Sequence, residues 1–234
     1  NKAFTVKRGL SPRQLLESSM LMSNYIHHAV KEKGENIWIA QREGRAKDSD
    51  DRTQESVLKM LGYGGNIREL NIVPLTISYE FDPCDYLKAK EFQLKRDNPA
   101  YKKSKQDDLD NMKTGIMGYK GRIHYECAPC INTWLDELQE LPKTEFYAEV
   151  AKRIDREIHS GYKLFPCNYI ALDMLNSSKA NVEHYTDEDV KRFEKYLDDQ
   201  LGKIDIPEKD EPFLRQCMLT MYANPAKNKM ALKS

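Results

Sequence analysis

The sequence has no long apolar run. Nothing in it approaches the roughly 20 consecutive residues that a bilayer-crossing helix requires, so any membrane contact is expected to be peripheral. Neither charge sign is in excess, because 37 Lys and Arg balance 37 Asp and Glu for a formal net charge of zero. There is thus no basic surplus to advertise nucleic acid, and none is expected as a partner. Five cysteines, an odd number without framework spacing, exclude a disulfide scaffold and fit a reducing, cytoplasmic setting. Internal repeats and low-complexity segments are absent as well.

What is present is length and charge. The 234 residues suffice for one large domain or a domain with an appendage, and the abundant charge predicts a soluble surface. The chain opens NKAFTVKRG, without methionine and directly in strand-like sequence. That opening predicts a piece of a longer polypeptide.

Phe4 to Lys7 reads as a strand end with Arg8-Gly9 as its turn. Ser11-Pro12-Arg13-Gln14 then carries a serine cap, a first-turn proline and the glutamine of a capping box. Leu15, Ser19, Met22, Ile26 and Ala29/Val30 follow at helical spacing, and Gly34 is a natural stop. The apolar run 36–40 predicts a buried strand, 54–61 a short helix and 71–78 another strand entered at Pro74. Alternating strands and helices imply a largely parallel sheet. Residues 85–114 are charged and helical in pattern, and GRIHYEC reads as an edge strand. Helices are expected over 143–159, 186–201 and 211–223, the second capped by Thr186.

Two basic clusters stand at expected strand exits: Lys7-Arg8, and Arg42 with Arg45 and Lys47. In a parallel sheet such exits share one edge, where ligands bind. Arginine's planar fork and lysine's mobile ammonium both suit phosphate, and Gly44 would admit a ligand close to the backbone. The competing reading is an ordinary solvated loop.

FTVKRG, REGRA and VPLTISYE occur in the order, and at roughly the separations, of conserved blocks in the glycerolipid acyltransferases. The chain resembles that superfamily, which includes the glycerol-3-phosphate and 1-acylglycerol-3-phosphate acyltransferases. Phe4, Lys7 and Arg8 match its second block, Glu43-Gly44-Arg45 its third, and Pro74, Tyr79 and Glu80 its fourth. The family's third block carries one more residue before the arginine, which brings in Arg42 and Lys47 as additional phosphate contacts. Ala46 stands where the family often has serine.

The resemblance implies an α/β fold class. Residues 1–84 would be the C-terminal portion of an acyltransferase-type α/β core, and 85–234 a mostly helical extension packed on it. It implies transfer of a fatty acyl group from acyl-CoA or acyl carrier protein to a glycerophosphate or lysophospholipid hydroxyl, at the cytoplasmic membrane surface. Lys7, Arg8 and Arg45 would hold the phosphate, Glu43 would position the acceptor, and Pro74, Tyr79 and Glu80 would shape the acyl-donor side. No cofactor or metal is expected. The family's His-x₄-Asp block, which supplies the general base, precedes its second block and would lie upstream of residue 1.

The later His184 to Asp189 spacing, in HYTDED, is better explained by a helix cap. Cys127-Ala-Pro-Cys130 is a lone CxxC without a second ligand pair, and DSDDR lacks the glycine and distal glutamate of a calcium loop. Two rival functions stay open. One is a phosphate- or lipid-binding module without chemistry, the other a charged helical interaction protein.

Overall fold

The computed structural model describes residue 9 and residues 11–42 and 46–232. These form two compact units. The first comprises residues from 11–42, 52–74 and 127–157, and the second 46–51, 75–126 and 158–232. The described residues are 59% helical, with one small two-stranded sheet among them.

In the first unit, α1 (Pro12–Lys31) starts where the sequence predicts, because Ser11 and Gln14 close a reciprocal capping box. Its inward face is Ser23, Ile26, His27 and Ala29, set against Leu58 and Leu61 of α2 (Glu55–Leu61). The Ser23 hydroxyl donates to the Leu61 carbonyl at 3.1 Å and accepts from the Gly64 amide at 2.8 Å. Gly64 is required there, since a Cβ would stand 2.8 Å from the Ser23 carbonyl carbon. Two short 3₁₀ turns at Ile131–Thr133 and Leu135–Leu138, then α5 (Lys143–Ser160) through Glu157, complete the unit.

The second unit is built on α3 (Asp85–Asp97), α4 (Lys105–Met117), α6 (Pro166–Asn176), α7 (Asp187–Leu201) and α8 (Glu211–Met230). Its core includes Phe193 and Leu197 of α7, Ile170 and Ala171 of α6, and Leu214, Met218 and Ala223 of α8. α8 runs past the expected end at 223, through Pro225. The ring removes one hydrogen-bond donor, but buried Ala223 and Ala226 on either side keep that turn packed.

Strands β1 (Leu75–Tyr79) and β2 (Ile123–Cys127) pair antiparallel: the Glu80 amide donates to the Arg122 carbonyl and the Phe81 amide to the Lys120 carbonyl. The parallel sheet expected from sequence is not formed among the described residues. Residues 36–40 belong to no helix or strand, and Trp38 is 73% exposed. Four apolar residues make a buried strand only if neighbours supply hydrogen bonds, and the expected neighbour at 4–7 lies outside the described residues. In β1 the polar residues face inward. Thr76 donates to the Ile158 carbonyl and Ser78 accepts from the Lys163 amide, so both buried hydroxyls are satisfied. No helix among the described residues is long and apolar enough to cross a membrane.

Candidate functional site

The charged loop of the sequence divides. Phe4, Lys7, Arg8, Glu43, Gly44 and Arg45 lie outside the described residues. Arg42 is half-buried in the first unit, and its Nε meets no hydrogen-bond partner among the described residues. Lys47 belongs to the second unit, on the short segment 46–51.

That segment is held in place by local turns and by α8. Ser49 adopts the left-handed region (φ 61°), and the Ala46 amide donates to Asp51 Oδ1 at 3.3 Å. From α8, Asn224 donates to the Asp48 carbonyl at 2.8 Å and Asn228 to the Asp50 carboxylate at 2.9 Å. One helical turn separates these asparagines, so a single face of α8 anchors the segment twice. Lys47 is thereby directed to Glu91 in the middle of α3 and pairs with it.

Glu91 does not have one partner but three. Lys95, one turn along α3, brings its ammonium to 2.9 Å from Oε1, and Lys103 stands 2.9 Å from Oε2. The carboxylate side chain is only 4% exposed. Burial opposes its ionisation, but contacts from Lys47, Lys103 and Lys95 outweigh this and hold its pKa down at about 2. Burial likewise lowers the Lys47 pKa, against the pull of Glu91. With three ammonium groups and one carboxylate, the cluster keeps two positive charges uncompensated by Glu91. Arrangements of this kind attract oxyanions, because each ammonium has three donors and Glu91 cannot engage them all. Sequence reasoning singled out Lys47 but missed Glu91, Lys95 and Lys103. The one local signal was the Glu91–Lys95 spacing.

The three residues expected on the acyl-donor side are adjacent to β1. Pro74 is buried just before the strand, and its carbonyl accepts from the Ala128 amide at 2.9 Å. Tyr79, the last residue of β1, is 40% exposed, and burial and its contact with Tyr125 raise its pKa. Glu80 is buried and gripped from two sides. Arg122 reaches it through Nε and Nη2, both at 3.1 Å, and through its backbone amide at 3.0 Å, while Arg192 Nη2 lies at 2.7 Å. Burial again opposes ionisation, and the Arg122 fork overcomes it, lowering the Glu80 pKa.

A second buried carboxylate was not singled out from sequence. Asp85, at the start of α3, accepts at Oδ2 from the hydroxyls of Tyr222 (2.7 Å) and Tyr196 (2.8 Å). Its Oδ1 accepts from Gln200 Nε2 at 2.5 Å and from the Tyr86 amide at 2.6 Å. Burial dominates here and raises its pKa to about 6, in spite of the tyrosine donors.

HYTDED is a cap. Thr186 and Asp189 close a reciprocal capping box at the start of α7, and the His184 ring stacks on Tyr169 with centroids 4.1 Å apart. Among the described residues, no group of three metal-ligating side chains is assembled, and Cys127 and Cys130 are free thiols. Compared with protein-family models, curated proteins and solved structures, the chain matches none.

Proposed function

We propose that this chain binds the phosphate-bearing acceptor in an enzyme that moves a fatty acyl group from an acyl thioester, on coenzyme A or acyl carrier protein, to a glycerol 3-phosphate or lysophosphatidate hydroxyl. The order of the three sequence blocks supports this reading. The observation that carries it is the charge around Glu91: Lys47, three residues beyond the Glu-Gly of the third block, joins Lys95 and Lys103 there. Cations in excess of Glu91 suit a phosphate, although Asp107 also stands within electrostatic reach of Lys103. In the reaction the acceptor oxygen attacks the thioester carbonyl, the carbon–sulfur bond breaks, and the hydroxyl proton passes to a base while the departing thiolate is protonated. Lys47, Lys95 and Lys103 would hold the acceptor phosphate. Tyr79 and Glu80, at the end of β1, would border the donor.

The second reading is a phosphate- or lipid-binding module without chemistry, which the same cations around Glu91 support. An acyl-thioester release assay with and without acceptor separates the two readings.

Both predict phosphate binding. Calorimetric titration with glycerol 3-phosphate should show binding that weakens with salt and is absent with glycerol. Lys47→Ala should lower the affinity about tenfold, since a charge-assisted contact contributes about 1.5–3 kcal/mol and water screens part of it. Lys47→Ala binding as tightly as the parent would overturn the assignment.

A further inference from the structure

Strand β2 has a neighbour on one side only. Among the described residues it pairs with β1 alone, and every residue of it except the half-buried His124 is exposed. The register to β1 says which backbone groups are left over. The Arg122 carbonyl accepts from the Glu80 amide, and the Ala128 amide donates to the Pro74 carbonyl, six residues on along one strand and six back along the other. The ladder between them therefore carries no bulge. Backbone direction alternates along a strand, so the peptide groups of His124 and Glu126 also face β1, while those of Ile123 and Tyr125 point away from it.

Natural edge strands are blunted by lysine, proline, a bulge or a covering element. From Ile123 to Glu126 this one has no lysine, proline or bulge, and Ile123 and Tyr125 are 45% and 58% exposed. Their side chains lie on the face where Tyr125 meets Tyr79 of β1. Two strands alone are marginal in water and three or more are stabler, which gives a further strand a reason to add.

A free edge does not by itself choose an occupant, but the residues of β2 do. Laid antiparallel against a second copy about Tyr125, the strand sets His124 opposite the partner's Glu126, and Glu126 opposite the partner's His124. Tyr125 and the partner's Tyr125 then form the hydrogen-bonded pair on the two-fold axis through their outward amides and carbonyls. The flanking pairs are of the closer, non-hydrogen-bonded kind, and each sets an imidazole against a carboxylate. His124 and Glu126 already stand 3.2 Å apart along one face of β2, so both lie on the side where these pairs form. Arg122, just before the strand, is engaged by Glu80. Sliding the axis to His124 or to Glu126 would set like groups opposite each other, which is unfavourable.

We propose that two copies of this chain join edge to edge through β2, antiparallel about Tyr125, so that two two-stranded sheets become one of four strands. The inference stands on β2 alone and does not depend on phosphate binding or acyl transfer.

Sedimentation equilibrium of the full chain should show a monomer–dimer equilibrium in the micromolar range. Tyr125→Pro removes an outward amide and spares the ladder to β1, so it should weaken the dimer about tenfold or more. Ile123→Lys, which installs the protection that natural edges use, should weaken it about tenfold. Glu126→Lys should weaken it several-fold by facing the partner's His124 with a cation, and adding His124→Glu should restore it, because both pairs return with their signs reversed. Ile123, His124 and Glu126 are at least partly exposed, so these variants should keep the parent's circular dichroism even if Tyr125→Pro does not. In residue-resolved hydrogen exchange, the amides of Ile123 and Tyr125 should slow as the protein is concentrated, whereas those of His124 and Glu126 should not change. A chain that stays monomeric at every concentration, or a dimer indifferent to Ile123→Lys and to Glu126→Lys, would overturn the inference. A double variant that fails to restore the dimer would overturn the pairing about Tyr125.

Discussion

Helix α3 carries two buried carboxylates, six residues apart, that solve the same problem in opposite ways. Glu91 is caged by three ammonium groups and is driven towards ionisation, whereas Asp85 is caged by two phenols, an amide and a backbone amide and resists it. Taking a charge out of water is costly in both places. At Glu91 cations of opposite sign offset that cost and leave positive charge over. At Asp85 only dipoles offset it, and nothing is left over. On the proposed reading, a buried acid with surplus cations would leave room for another anion, whereas one satisfied by neutral donors is a packing joint. Asp85 joins α3 to α7 and α8 through Tyr196, Gln200 and Tyr222.

The hardest test of that distinction is to remove the joint. Asp85→Ala takes the shared acceptor from Tyr222, which is buried, and from Gln200, and it opens a cavity where α3, α7 and α8 meet. Each buried donor left without a partner costs about 1–3 kcal/mol, and relief of the buried charge offsets only part. Stability from urea unfolding should therefore fall by about 3 kcal/mol, with glycerol 3-phosphate binding retained in the folded protein. A loss under about 1 kcal/mol would make the network incidental.

Removing the anion of the other cage should cost less and respond to solutes. In Glu91→Gln, three lysines lose their common partner, but their side chains are 23–50% exposed and water screens them. The expected loss is about 2 kcal/mol, below the 3–5 typical of a fully buried pair. Added phosphate should raise the melting temperature of Glu91→Gln more than that of the parent, because it replaces the missing carboxylate. Equal shifts in the two proteins would remove the distinction between the cages.

The sequence makes local structure plain and tertiary pairing obscure. The boxes at Ser11 and Thr186 are legible because both partners lie within three residues. Helices over 143–159 and 186–201 follow from apolar spacing along one face. α6 is obscure since Cys167, Asn168 and Asp173 interrupt its apolar pattern, yet all three are buried and bonded inside. Residues 36–40 mislead because a strand is defined by a neighbour, and β1 misleads because Thr76 and Ser78 point inward. The site divides in the same way. Lys47 stands out in a charged loop, but Glu91 is 44 residues away in a helix whose alternating charges read as a solvated face. Asp85 gives no local sign at all, as its tyrosine partners are more than 100 residues distant.

The smallest expected effect, and the one that compares the two cages most directly, is the response to pH. Asp85 has its pKa raised from 3.8 to about 6, so as pH falls the folded chain takes up a proton before the unfolded chain does. A raised pKa contributes stability that is fully present below 3.8 and lost as pH rises through about 6. Glu91, lowered from 4.5 to about 2, contributes stability that is present above 4.5 and lost as pH falls through about 2. From pH 7 down to about one unit above 4.5 the two are therefore separable, because Glu91 stays largely ionised in both states while Asp85 titrates. Glu80 and Asp173, whose pKa values are also lowered, behave as Glu91 does. Asp85→Asn keeps the shape of the side chain and removes the titration. The stability of the parent minus that of Asp85→Asn should rise by about 1–2 kcal/mol on going from neutral pH to mild acid. It should then level off. A difference that stays flat, or falls on acidification, would mean that the phenols hold Asp85 as firmly ionised as the lysines hold Glu91.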